Sequence, residues 1–249
     1  MMKGHNIGSI IRGMIFGNKS KRHREKLSPH WKCLTKDNRT SNSNIISAIR
    51  EAFHFKAKTP ELSFKKISSW QEVKKQALDT IGKKSVKQPD TRWKYRILYA
   101  EHSPIRSLLF QWTWENLKYW VSVHLVRHKY GIEHYVRTQR TDRTGVNRNE
   151  ALQSAPVNHT IFINAQAVIN ISRKRLCNEA STETRTAWKQ FLKKLKEQEK
   201  ELYDVCVPEC VYRGFCPEFN CCGYVNTLVY EGKRKLYVSR CHDARENKK

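Results

Sequence analysis

Acidic residues are scarce: 23 Asp and Glu stand against 48 Lys and Arg in 249 residues, a formal charge of +25. An imbalance this large implies anionic partners, whether nucleic acid, nucleotides or a membrane surface, and says nothing about fold. Runs of 18 or more uncharged apolar residues are absent, so no membrane-spanning helix is expected and no membrane partner. The apolar stretch from Ile7 to Phe16 is interrupted by Arg12, and no small-residue cleavage site follows it. A secretory signal is therefore not expected, and the expected compartment is cytoplasmic and reducing, with cysteines free or metal-bound. Glycine-rich phosphate loops are missing as well, since neither a G-x-G-x-x-G nor a Walker pattern occurs. Any phosphate must then be held by side chains.

Aromatic residues are present in number, with seven Trp, ten Tyr and nine Phe, which excludes a disordered basic chain. The length suits one large domain of roughly 150 to 200 residues plus tails. Residues 1–62 read as a basic arm rich in Lys, Arg, Ser and Asn, with His23, Arg24 and Lys26 in one cluster. Such a run is either a solvated face or a nucleic-acid-binding arm. Residues 63–203 read as the core, and 204–249 as a cysteine-rich extension.

Within the core, Ser69 is a candidate N-cap with Glu72 at the capping-box position, and Trp70, Val73, Ala77 and Ile81 form a helical stripe ended by Gly82. A polar connection over 83–90 leads to a second helix over Trp93 to Tyr99. From Ile105 to Trp114 the apolar residues alternate, as in a half-buried strand. From Leu117 the period becomes three and four through Trp120, Val121, His124, Leu125 and His128, which predicts a helix ending at Arg127-His128-Lys129. Cations there suit a helix C-terminus whatever their function.

Five arginines and a single lysine occupy 127–148, with Thr138, Gln139, Thr141 and Thr144 interleaved among Arg137, Arg140, Arg143 and Arg148. Planar guanidinium forks with neutral donors between them suit bidentate phosphate binding, and an unselective basic patch is the plainer alternative. Asn164 to Arg185 reads as helix, turn, helix. Asn164, Val168, Ile171 and Arg175 fall on one stripe, with Asn170 off it. An inward arginine is costly without an anion or polar ligand, which marks Arg175 as a site candidate, unless it snorkels to the surface.

Together these stretches resemble the flavin-dependent thymidylate synthases. Arg127-His128-Lys129 resembles that family's Arg-His-Arg triplet, and Arg140 its downstream arginine. Asn164-Ala165-Gln166 stands for Asn-Ala-Arg, Asn170 for the second Asn, and Arg175 for the arginine that follows. The run from Ala180 to Arg185 resembles the start of the family's next helix, and Glu101-His102-Ser103-Pro104 its His-x-Ser/Thr-Pro turn. Lys129, Arg137 and Gln166 depart from the pattern. The resemblance covers about residues 65–200.

It implies an α+β core, a small mixed or antiparallel sheet flanked by long helices, assembled as a homotetramer with sites between subunits. The implied reaction methylates dUMP to dTMP with FAD, taking its one-carbon unit from methylenetetrahydrofolate and its reducing equivalents from NADPH. By residue match, Arg127, His128, Lys129, Asn164 and Asn170 would bind FAD. Arg137, Gln139, Arg140 and Arg148 would hold the dUMP phosphate, and Arg175 would both bind the pyrimidine and act in catalysis. Other readings are a nucleic-acid-binding protein on a degenerate version of this fold and a related flavin enzyme with another pyrimidine product.

Six of the eight cysteines fall after residue 205, yet no C-x-x-C pair occurs among them. Cys206, Cys210, Cys216 and Cys221 are the candidate ligands if zinc binds, and a reduced, turn-rich cap is the alternative. Cys177 reads as a small buried hydrophobe, and Tyr212 to Phe215 as a segment able to reach a neighbouring site. A hairpin is expected with strands at Leu228–Tyr230 and Lys235–Val238, and 244–249 is expected to fray.

Overall fold

A computed structural model describes residues 62–246. The basic arm, including His23, Arg24 and Lys26, lies outside the described residues. Four strands form one antiparallel sheet in the order β1-β2-β4-β3, namely β1 (Leu62–Lys66), β2 (Leu109–Lys118), β3 (Ile132–Val136) and β4 (Pro156–Asn164). Nine helices surround it among the described residues: α1 (Trp70–Asp79), α2 (Thr91–Tyr99), α3 (Tyr119–Val126), α4 (Thr141–Thr144), α5 (Ala165–Arg175), α6 (Thr182–Gln198), α7 (Lys200–Val205), α8 (Glu209–Arg213) and α9 (Leu228–Arg245). This is the expected α+β arrangement, with a purely antiparallel sheet.

Helix α1 starts as its sequence dictates. The Ser69 hydroxyl accepts from the Glu72 N–H while the Glu72 carboxylate accepts from the Ser69 N–H, so two otherwise orphaned donors are satisfied. The helix stops at Asp79, however, and Ile81 is 61 % exposed rather than part of the stripe. Asp90 caps α2 in the same manner as Ser69 caps α1, accepting from the Trp93 N–H.

The core forms where one face of β2 and β4 meets α6. Phe110, Trp112 and Trp114 alternate inward and pair across β4 with Ile163, Ile161 and His159. Trp112 stacks on Phe191 with ring centroids 3.6 Å apart, and the Trp188 indole donates to Ser172 Oγ at 2.9 Å. Each buried ring removes enough apolar surface from water to contribute about 2 to 3 kcal/mol.

Four expectations fail for identifiable reasons. The strand begins at Leu109, because Ser103–Ser107 is a 3-10 turn opened by Pro104, which cannot donate to a ladder. It runs on to Lys118 because an irregularity between Trp114 and Leu117, with Asn116 at φ 56°, inserts residues into β2. The buried positions 114 and 117 are therefore three apart, which imitates a helical period inside a strand. Helix α3 is accordingly short, spanning Tyr119–Val126 with Arg127 as its C-cap. The hairpin is in fact helix α9. Its inward face is Tyr230, Arg234, Tyr237, Cys241 and Ala244 at helical spacing, and Gly232 sits on the exposed side. Ala244, expected to fray, is buried in that helix.

Buried carboxylates tie the helices together. Asp204 on α7 accepts from the Tyr95 hydroxyl of α2 at 2.6 Å and pairs with Arg240 of α9 at 3.2 Å. Glu199 accepts from the Trp70 indole at 2.6 Å and pairs with Lys66 of β1. No helix among the described residues is long and apolar enough to cross a membrane.

Candidate active site

Helix α5 grows out of β4 without a loop, because Asn164 is both the last residue of the strand and the N-cap of the helix. Its Oδ1 accepts from the Ala167 N–H at 2.9 Å, a capping role in place of the expected place on the stripe. Its own N–H donates to the Gly131 carbonyl at 2.9 Å, and Gly131, at φ +72°, packs so closely that an added Cβ would lie 2.5 Å from the Asn164 amide. The turn after α3 is thus pinned to the start of α5.

The far end of α5 is tied to the same turn. Arg175 is half-buried and points inward, where Nε–H donates to His128 Nε2 at 2.9 Å and Nη2 donates to the His124 carbonyl at 2.6 Å. His128 accepts through Nε2, so its ring is neutral, and burial followed by the Arg175 charge pushes its pKa down to about 4. Burial and then Arg127 also lower that of Arg175. Two of the five guanidinium N–H donors are used, leaving three for a ligand.

Behind this pair lies a chain of imidazoles. His134 Nε2–H donates to the His128 carbonyl at 2.8 Å, so a neutral His134 accepts at Nδ1 from His159 Nε2–H, 3.0 Å away. His159 is 0 % exposed, and burial, then His134, depress its pKa to about 4. Its Nδ1 has no hydrogen-bond partner.

Two clefts flank α5. One of about 300 Å³ is lined by Arg127, His128, Lys174, Arg175, Cys177 and Glu218. The other, about 360 Å³, is lined by Arg106, Tyr130, Gly131, Asn164, Gln166 and Asn170. The anticipated flavin residues are therefore divided, with Arg127 and His128 beside Arg175 and the two asparagines on the second cleft. Lys129 is exposed and lines neither.

Arg137, Gln139, Arg140 and Arg148 follow β3 and surround α4, and none of them lines either cleft. Arg140 forms an exposed fork with Asp142 at 3.0 and 2.8 Å, and Arg137 and Arg148 are exposed. The chain does not bring these four to Arg175.

Glu101 is a site residue that sequence reasoning passed over. Held at φ 48°, it accepts from Gln166 Nε2 at 2.6 Å and pairs with Arg173, whose guanidinium lies 3.6 Å over the Tyr212 ring. Asn170 accepts from Gln166 and Arg173, each at 3.3 Å. Where the resemblance has an arginine at 166, this chain carries its guanidinium two turns on, at 173, with a carboxylate against it. The only sequence signal was that Glu101 opens the Glu101-His102-Ser103-Pro104 turn, in the place where the resemblance has a histidine.

Cys206 is buried in the main core, where burial pushes its thiol up to about 12, and Cys221 is exposed. Among the described residues no three His, Cys, Asp or Glu side chains stand at metal-ligand spacing.

No family model matches the chain, and no curated protein matches it. Similar solved structures include a UMP/dUMP methylase, PolB, from Streptomyces cacaoi bound with 5-Br dUMP. It is 10 % identical with a TM-score of 0.47, over 63 % of this chain and 96 % of that one. Two structures of the flavin-dependent thymidylate synthase ThyX from Helicobacter pylori with FAD and dUMP are 12 % and 13 % identical, with TM-scores of 0.46 and 0.47. Each covers 59 % of this chain and 99 % of the other.

Proposed function

We propose that the chain is a flavin-dependent enzyme of the thymidylate synthase type, methylating dUMP to dTMP with methylenetetrahydrofolate as one-carbon donor and NADPH as reductant. One observation carries the reading. Arg175 and His128, 47 positions apart and belonging to two separate motifs of the resemblance, are hydrogen-bonded at the edge of a cleft that also holds Arg127.

The donor set fits FAD and a nucleotide. Guanidiniums and amides offer hydrogen bonds to phosphate and to ring carbonyls, and His128 is neutral. Arg127, His128, Asn164 and Asn170 would hold the flavin, which supplies the redox chemistry when bound. Lys129, though exposed, stays in this set as the third residue of the triplet. Arg175 would face a uracil carbonyl with its three free donors and stabilise negative charge developing there, an electrostatic contribution worth about 3 to 4 kcal/mol per donor in other enzymes. Arg137, Gln139, Arg140 and Arg148 would grip the dUMP phosphate in a neighbouring copy, which accords with the homotetramer the resemblance implies. The cytoplasm is the compartment where the required reductant and folate meet the enzyme.

The test is spectroscopic. Purified full-length protein should be yellow, with an oxidised-flavin spectrum that dUMP perturbs. Arg175→Ala should keep FAD and lose the dUMP response, whereas protein that stays colourless and empty when offered FAD would sink the reading. A second reading, nucleic-acid binding, is favoured by the exposure of Arg137, Arg140, Arg143 and Arg148, none of which lines either cleft.

A further inference from the structure

Four thiols from three parts of the chain meet beside the end of α5. Cys177 lies two residues beyond Arg175, Cys210 is on α8, and Cys216 and Cys222 belong to the irregular segment between Gly214 and Gly223. All four line one largely enclosed cavity of about 10 Å³, which has room for a single small ion and none for an organic molecule. Their sulfurs stand within electrostatic reach of one another, Cys177 with Cys210 and Cys222, and Cys216 with Cys210 and Cys222 as well as with Cys221.

The fold around them has little else to hold it. Between α8 and α9 the regular structure is one 3-10 turn, Tyr224–Asn226, and Phe215 and Phe219 are exposed. The buried cluster beneath is Cys210, Val211 and Tyr230, with partly buried Val207, Tyr224, Val225 and Tyr237 packed against it. An irregular stretch of that length with so small a core commonly depends on a staple, either disulfide or metal. In a reducing compartment the metal is the available one. Arg185 donates to the Cys177 carbonyl at 3.4 Å and to the Asn178 carbonyl at 2.8 Å, which fixes the chain beside Cys177, and Glu209 and Glu218 also line the cavity.

We propose that Cys177, Cys210, Cys216 and Cys222 bind one Zn²⁺ in a closed structural site. Four soft thiolate ligands with no open position select zinc and leave it no catalytic role. Among the described residues no three of these sulfurs stand at ligand spacing, so binding an ion would have to draw the four together. Small zinc modules reach their final geometry as the metal binds. The ligand set differs from the one expected from the sequence, because Cys206 is committed to the main core and Cys221, exposed like Cys222, does not line the cavity, while Cys177 comes from a distant segment. Cys177 and Glu218 also line the Arg175 cleft, so the ion would brace one wall of it.

Full-length protein purified without chelator should carry about one zinc per chain by elemental analysis. Cys177→Ser and Cys210→Ser should each lose it, while Cys241→Ser keeps it. Zinc-stripped wild-type protein loaded with Co²⁺ should show the near-ultraviolet charge-transfer absorption of cobalt thiolate, a readout independent of whether any variant folds. Wild-type protein with no zinc and no such band overturns the proposal. So does zinc retained in both serine variants, or disulfides among these four cysteines in unreduced protein.

Discussion

Arg175 and Glu101 show opposite degrees of legibility at the scale of single residues. Arg175 is readable because helical spacing places a guanidinium on an apolar stripe, and the structure gives that guanidinium its partners, His128 and the His124 carbonyl. Glu101 is not readable, since its partners lie 65 and 72 residues away and its left-handed backbone leaves no pattern in the chain. Glu101→Ala strips a mostly buried Arg173 of its carboxylate and should cost about 1 to 3 kcal/mol in urea denaturation. The buried histidines predict a pH dependence. His128 and His159 are held near pKa 4 in the folded chain against about 6.5 when unfolded, so between those values the unfolded state binds protons that the native state does not. Stability should therefore fall as pH drops from about 6.5 towards 4. His159→Leu removes one of these contributions, and its unfolding free energy at pH 7 and pH 5 should differ less than the wild type's. Equal differences would exonerate His159.

Elements were legible where a local signal and the tertiary environment agree. The capping box of α1 could be read in advance, and Ser69→Ala should lower stability by about 1 kcal/mol, seen as a reduced Tm. The bulge in β2 could not, because an extra residue turns an alternating pattern into one with helical spacing. Helix α9 was misread for a related reason: Leu228-Val229-Tyr230 and Leu236-Tyr237-Val238 are rich in strand-forming residues, but seven-residue spacing from Tyr230 through Tyr237 to Ala244 prevails once Tyr237 meets Tyr99 of α2, 5.1 Å between rings. Gly131 is a position where the element and the site depend on each other. Gly131→Ala places a Cβ against Asn164 at a backbone angle that favours glycine, and should cost more than about 1 kcal/mol while weakening FAD binding. Flavin titration of the variant against wild type checks the second part.

For the molecule as a whole, the charge imbalance separates the two functional readings. If the exposed arginines of 137–148 contact phosphate backbones, affinity for a single-stranded oligonucleotide should fall steeply with salt, and Arg137→Ala or Arg143→Ala should each reduce the slope by about 1. The flavin response to dUMP should move far less over the same salt range. A flat oligonucleotide profile would leave those arginines to the nucleotide reading.

The joint at Asn164 has a wider consequence. With no residue between strand and helix, α5 is a rigid lever about 16 Å long whose fulcrum is the register of β4. One residue inserted at that joint would swing Arg175 through about 100° and take it off His128. The long connection from 137 to 155 can change length without moving the lever. Lineages of this fold should therefore vary in length before β4 and hold constant from the middle of that strand to the end of α5.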